Sequence, residues 1–302
     1  MRILIVGAGV IGTVYGAQLG AVGNAMSVLD HGARTKVIAR VGLLARDVSD
    51  GTETRSPAAV IAAAQEGTFD LVLVTLRRDQ LHSAAIPLSA VNGHPLILFL
   101  GNNPAGHRDL PAGPDAAVSI GFPGLGGAMV GDVANYIKIS QQPTALEATG
   151  DPRLADVAAA LRSRGFAVQR IPEMNGWLQY HAVFVACVAA ALYRCETNAL
   201  RLASDRPELE LMCRAISEGF RALRADHVPG CPRNLAVLHS RLLTPIAIRY
   251  WAHTLRTPMG ELAFAAHSRH AETEMRALAH DVLLRLGDGQ QFKALQRLLG
   301  SS

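Results

Sequence analysis

Six residues, Gly7-Ala8-Gly9-Val10-Ile11-Gly12, follow directly on the apolar run Ile3 to Val6 and open a stretch carrying Tyr15, Ala17 and Leu19. Glycines in that spacing, between a strand and a helix, make a phosphate cradle. Gly7 permits the tight turn, Gly9 lets the backbone approach a pyrophosphate, and Gly12 lets helix and strand pack closely. The N–H groups of the first helical turn, Val10 and Ile11 included, are the expected anion donors. A glycine turn that holds no ligand is the alternative for the same residues. Asp30 falls eighteen residues past Gly12, where an acidic side chain accepts the ribose hydroxyls of an adenosine. A carboxylate there repels a 2′-phosphate, so the expected cofactor is NAD(H) or NADP(H), with NAD(H) slightly favoured. Two alternatives stay open: Asp30 as a plain turn cap, and His31, Arg34 or Lys36 pairing with a 2′-phosphate.

Those residues need a scaffold. The chain has 302 residues, 29 Lys+Arg against 25 Asp+Glu, 49% hydrophobic and 18% charged residues, and four cysteines. That length suits one large or two ordinary domains, and the low charge content excludes disorder driven by net charge. From residue 1 to about 170, apolar runs at 3–6, 26–29, 71–75, 96–100, 117–121, 136–139 and 167–171 alternate with helical stretches at 10–19, 57–65, 80–88 and 152–163. Such alternation is the pattern of an α/β doubly wound parallel sheet. Beyond Ile171 the apolar period becomes helical, at 182–192, 209–223, 235–250, 262–286 and 292–299. An all-helical second domain, 171–302, therefore follows a dinucleotide-binding domain, 1–170.

Composition also excludes some classes. The net charge of +4 is scattered without a basic run, so no nucleic-acid partner is expected. Cys187, Cys195, Cys213 and Cys231 form no CxxC pair, and reduced, packed thiols are expected with no metal. The longest apolar run, Ala182 to Leu192, is shorter than the roughly 18 residues of a membrane span. The amino terminus enters a strand with no secretory n-region or h-region. A cytoplasmic protein without membrane partners is the expectation. The Ala182 to Leu192 run is either a core helix or a seam for a second copy, and a homodimer through the helical domain is expected.

Further segments fall into a family order: Leu76-Arg77-Arg78-Asp79-Gln80, Leu100-Gly101-Asn102-Asn103, Gly121-Phe122-Pro123-Gly124-Leu125-Gly126-Gly127, Trp177-Leu178-Gln179 and Gly260-Glu261. With the glycine motif they resemble the ketopantoate reductase (2-dehydropantoate 2-reductase) family over essentially the whole chain. The resemblance implies a Rossmann domain followed by a helical domain, and reduction of a 2-oxo acid by a nicotinamide held in the cleft between them. Arg77 stands where that family has a lysine near the cofactor, and Asn102 where it has an asparagine near the nicotinamide. Glu261 matches its late acidic residue that helps hold the substrate; charge compensation at a helix start is the plainer role.

The departures bear on chemistry. By the same resemblance, Gln179 occupies the place of the lysine that protonates the carbonyl oxygen, and Val183 that of an asparagine one turn on. Delivery of hydride to a ketone builds an alkoxide that needs a proton or a strong hydrogen bond. Gln179 offers an N–H but no proton. Replacement acids are sought among His181, Glu261, His267 and His270. His181 lies two residues from Gln179, about 200° round a helix, and a buried histidine is the alternative for it. His267 and His270 sit three apart on one face, which resembles a metal pair, but no acidic or cysteine partner is fixed by spacing and a solvated face is the expectation. Arg249 and Arg256 are candidate clamps for a substrate carboxylate, or ordinary surface arginines. The segment from Gly121 to Gly131, with five glycines, is expected to be a mobile loop lining the cleft, or a long turn.

The expected function is hydride transfer between NAD(P)H and a small 2-oxo acid or related carbonyl compound, with Gln179, His181, Glu261 and Asn102 at the substrate. Two rivals remain open: a dinucleotide-binding protein without turnover, and a reductase of an imine or larger ketone.

Overall fold

The computed structural model describes residues 1–29, 32, 34–83, 88, 91–112, 116–286 and 292–300. Asp30 and His31 lie outside the described residues, as do most of 84–90 and residues 287–291. Contacts divide the chain into two compact units: Met1–Gly101 with Gly106–Met174, and Asn102–Ala105 with Asn175–Ser302.

The first unit is built on β1 (Arg2–Val6), α1 (Val10–Gly20), β2 (Ala25–Leu29), α2 (Thr35–Val41), β3 (Leu43–Asp47), β4 (Glu53–Ser56), β5 (Ala59–Ile61), β6 (Leu71–Val74), α3 (Arg78–Ser83), β7 (Leu96–Leu100), β8 (Ala117–Phe122), β9 (Leu125–Val130), β10 (Val133–Lys138), β11 (Thr144–Glu147), α4 (Pro152–Ser163) and β12 (Val168–Ile171). Eight strands form the main sheet in the order β12-β11-β8-β7-β6-β1-β2-β5. From β8 to β5 all neighbours are parallel, while β11 runs antiparallel to β8. The central strands β6 and β7 are buried at every position, as strands covered on both faces must be, and this explains their unbroken Val/Ile/Leu/Phe sequences. Each such side chain contributes about 1.5–3 kcal/mol by leaving water.

A second sheet, β4-β3-β10-β9, was not expected from the sequence. It packs on α1 through all four of its strands. Residues Gly12 to Leu19 of α1 are consequently all buried, and the helix has no solvent face to betray it by amphipathic spacing.

Three expectations for this unit need correction. The helix expected at Pro57–Gln65 is instead the edge strand β5, paired with β2 (Ser27↔Ala59, Leu29↔Ile61), followed by a 3-10 turn at Ala64–Glu66. The short run Ala-Val-Ile has no helical length, and its β-branched members suit an edge strand. The strand expected at 136–139 is β10, and it belongs to the second sheet. The segment Gly121–Gly131 is no loop: it ends β8 and forms β9, antiparallel to β10. Its glycines serve close backbone approach, for a Cβ at Gly127 would lie 3.0 Å from both Tyr136 Cα and Val10 Cγ1.

The second unit is helical: α5 (Met174–Arg194), α6 (Ala199–Ser204), α7 (Arg206–Ala225), α8 (Arg233–Leu238), α9 (Thr244–Thr254), α10 (Ala266–His270), α11 (Glu272–Leu286) and α12 (Lys293–Leu299). The expected long helices at 235–250 and 262–286 are each interrupted. A 3-10 turn at Arg241–Leu243 splits the first, and a π-helical stretch, Gly260–Ala265, precedes α10 and α11 in the second. Helix α5 has the length and hydropathy of a membrane span, but 83% of its apolar window is buried within the protein. Residues 182–192 are thus core, with only Val185 partly exposed, and they do not form a surface seam.

Candidate dinucleotide and substrate site

The glycine turn has the geometry that phosphate binding needs. Gly7 adopts φ +93°, a left-handed conformation that other residues reach only with strain. A side chain at Gly12 would press into the Gly7 carbonyl and lie 2.6 Å from Thr75 Oγ1. At Gly9, by contrast, the space a Cβ would enter is open. Helix α1 begins there with no side-chain cap and no acidic residue in its first turn, so its first N–H groups and dipole are left for an anion.

Every polar side chain in the body of α1 is tied to a different element. The Thr13 hydroxyl donates to the Ala8 carbonyl at 3.1 Å. The Tyr15 phenol pairs with Thr144 Oγ1 at 2.6 Å and accepts from Gly124 N at 3.0 Å; burial pushes its pKa up to about 12. Gln18 donates to Thr54 Oγ1 and the Tyr136 hydroxyl, each at 3.1 Å, and accepts from Arg164 Nε at 2.8 Å. Thr75, just after β6, donates to the Gly7 carbonyl at 2.6 Å. Rotation of α1 and the path of the turn are both fixed before any ligand arrives. Arg34 donates to the Ala8 carbonyl and to Thr13 Oγ1 at 3.3 Å. Arg77 is half-buried just before α3, where the Gln80 side chain accepts its backbone N–H at 3.1 Å.

The helical unit gathers the other candidates. Asn102, 9% exposed, and Gln179 of α5 belong to it, and in each the side-chain oxygen is buried with no hydrogen-bond partner. A buried acceptor without a protein partner leaves a place that a water or a ligand can fill, as it does at Asn135 Oδ1 in β10 too. Val183 does not share that environment: it is buried against α7, where a Cβ at Gly219 would lie 2.5 Å from Val183 Cγ1. Val183 thus contributes to the packing of α5 on α7.

His181 is 1% exposed, stacked on Trp177 with ring centroids 4.9 Å apart and edge-on to Phe184. Burial, with a smaller contribution from His267, pushes its pKa down to about 3, so the imidazole is neutral near pH 7 and carries no acidic proton to give. Glu261 lies in the π-helical stretch and is ion-paired with Arg269. His270 Nδ1 lies 2.7 Å from the Ala266 carbonyl, and no group of three metal-ligating side chains occurs among the described residues. Arg256 donates to the Ala252 carbonyl and to Ser204 Oγ at 3.2 Å, while Arg249 is exposed. Arg269 escaped the sequence reading, since its partners, Glu261 and Thr197, lie eight and seventy-two residues away.

Sheet order, glycine turn and helical companion unit define the Rossmann class of nucleotide-binding folds. Comparison narrows the class: residues 3–111 match the family model described as Ketopantoate reductase PanE/ApbA. The fold of the whole chain is that of ketopantoate reductases. It is similar to a PanE/ApbA family ketopantoate reductase from Ralstonia eutropha JMP134 (TM-score 0.76, 20% identity, covering 100% of this chain and 97% of the other). A 2-dehydropantoate 2-reductase from Geobacter metallireducens GS-15 gives TM-score 0.76 at 16% identity, covering 99% and 98%. D-mandelate dehydrogenase, in a ternary structure with NADH and anilino(oxo)acetate, gives TM-score 0.67 at 15% identity, covering 100% and 97%. No curated protein sequence matches the chain.

Proposed function

We propose that the protein is a nicotinamide-dependent oxidoreductase acting on a small 2-oxo acid or the corresponding 2-hydroxy acid. The observation that carries this reading is the glycine turn: positive φ at Gly7, open space at Gly9, and an uncapped, acid-free start to α1. A bound nicotinamide supplies the hydride chemistry. The protein's own part is to hold the pyrophosphate on the N–H groups of Gly9, Val10 and Ile11, with Arg77 and Asn102 toward the nicotinamide half. Asn102 and Gln179 then engage groups of cofactor or substrate that satisfy their orphaned oxygens. Titration with NADH and NADPH tests this: the reading expects micromolar binding of at least one, and binding of neither overturns it.

The guanidinium of Arg34 beside the Ala8 carbonyl supports NADP(H), which adds a 2′-phosphate for a cation to meet. An ionised Asp30 supports NAD(H). Arg34→Ala separates the two: if NADP(H) is the cofactor, its affinity falls about tenfold or more, while NADH affinity stays within threefold.

Gln179 favours one further reading, a dinucleotide-binding protein without turnover, because an amide cannot deliver the proton. Gln179→Lys alone is the test, since Val183→Asn would force an amide into the contact with Gly219. Gain of ketopantoate reduction by that variant, over an inert parent, would establish the disarmed site. The D-mandelate dehydrogenase likeness and the absent lysine together support a 2-oxo acid other than ketopantoate in the enzyme reading. Four free cysteines suit a reducing cytoplasm. A homodimer through the helical unit is supported by its exposed apolar Val237, Leu242 and Ile246, and a ketopantoate reductase from Staphylococcus aureus is described as dimeric.

A further inference from the structure

The C=O and N–H of one trans peptide unit lie in a plane and point in opposite directions. Fixing the carbonyl therefore aims the donor. Two carbonyls of the glycine turn are fixed in this way, each by a threonine hydroxyl. Thr75 Oγ1 lies 2.6 Å from the Gly7 carbonyl oxygen and 3.4 Å from that of Val6, so the proton goes to Gly7. Thr13 Oγ1 donates to the Ala8 carbonyl at 3.1 Å, which Arg34 also reaches. The N–H groups that these two bonds turn the other way belong to Ala8 and Gly9. Among the described residues, neither N–H donates to a protein acceptor.

Both threonines are held firmly. Thr75 follows β6 directly and its own N–H donates to the Val6 carbonyl at 2.9 Å, while a β-branched side chain has few χ1 settings. Its hydroxyl occupies the notch at Gly12, where a Cβ would lie 2.6 Å from it; the bare glycine is what admits the bond. Thr13 is fully buried in α1, with its N–H on the Gly9 carbonyl at 2.9 Å. The outer side of the turn is accessible, since Gly9 is exposed and the space beside its Cα is open. Donors aimed and held in advance leave little ordering for a ligand to impose.

We infer that Thr75 is a positioning residue of the dinucleotide site, with Thr13 as its counterpart. Their hydroxyls hold the Gly7 and Ala8 carbonyls, and so hold the Ala8 and Gly9 N–H groups toward the pyrophosphate. The inference deepens the oxidoreductase reading and rests on it for the identity of the ligand. Its effect belongs to the pyrophosphate, so it is the same with or without a 2′-phosphate.

The test is calorimetric titration of the full chain with NADH, NADPH and ADP, which keeps the pyrophosphate without the nicotinamide half. Thr75→Val preserves the side-chain shape and loses the hydroxyl; Thr75→Ser keeps the hydroxyl. Thr75→Val should weaken ADP, and each dinucleotide that the native protein binds, by about tenfold, the worth of one hydrogen bond. Thr75→Ser should stay within threefold of the native protein. A threonine that serves stability alone would lower the urea midpoint of Thr75→Val and leave the affinities of the folded variant unchanged. A loss below threefold in Thr75→Val, or an equal loss in Thr75→Ser, overturns the inference. If circular dichroism shows Thr75→Val to be unfolded, Thr13→Val decides: a loss of ADP affinity of threefold or more supports the inference, and a smaller one overturns it. A dinucleotide bound equally well by Thr75→Val defeats only the Thr75 inference. ADP binding that depends on Thr75, in a protein that binds neither NADH nor NADPH, defeats only the oxidoreductase reading, and binding of none of the three defeats both.

Discussion

Gly12 shows how much one residue decides. A Cβ there has no room between the Gly7 carbonyl and Thr75 Oγ1, so Gly12→Ala must push α1 away from β1. The expected outcome is a loss of about 1–3 kcal/mol of stability in urea melts and at least a tenfold drop in dinucleotide affinity by calorimetry; native-like values for both would show that the turn yields. Such glycines are legible in a sequence because their roles are local: a turn, an approach and a packing contact, all within six residues. Val183 and Arg269 are the opposite case. Whether Val183 faces a substrate or Gly219 depends on how α5 is rotated against α7, and no spacing within α5 specifies that. Arg269 looks like any charged helical residue until its two partners are brought to it. His181 lay between these cases, since its place two residues from Gln179 put it on another face, and the structure buries that face.

Helix α1 is the element on which the site depends, and it was legible as a helix only through the glycine motif and its length. Its burial comes from α4 and the main sheet together with β3, β4, β9 and β10, and the short sequences of that second sheet, such as Leu-Leu-Ala-Arg-Asp and Glu-Thr-Arg-Ser, mix charge with alternation and carry little strand signal. Tyr15→Phe tests how α1 is held. It removes a buried phenol from Thr144 and Gly124 while their own bond, 3.3 Å, remains, so a cost of about 1 kcal/mol is expected in urea unfolding; a variant as stable as the native protein would contradict the account. The helical unit predicts its own pH response. His181 and His239 are buried with pKa values lowered to about 3 and about 4, chiefly by desolvation, and His239 Nε2 faces the Trp251 indole N–H at 3.4 Å. A histidine whose folded pKa is depressed leaves stability intact above about pH 6.5, and that stability is lost as pH falls from there toward the folded value, because the unfolded chain takes up the proton first. Each should cost up to about 1.4 kcal/mol per pH unit in that window. Urea midpoints that stay flat from pH 7.5 to pH 5 would contradict this.

At the scale of the whole molecule, two units were legible from the change of apolar period after Ile171, because a doubly wound sheet and a helical bundle bury different repeats. The assignment of Asn102–Ala105 to the helical unit was not, since four residues carry no period. Neither was the surface of that unit, where Leu242 is 92% exposed. Sedimentation velocity should find a dimer that Leu242→Glu converts to monomer, and a monomeric native protein would end the dimer proposal. The most direct test of the central claim is calorimetric titration of the native protein with NADH and NADPH alongside Gly12→Ala. The account predicts micromolar binding of at least one dinucleotide to the native protein, weakened at least tenfold by the substitution; no binding of either, or equal binding by the variant, would contradict it.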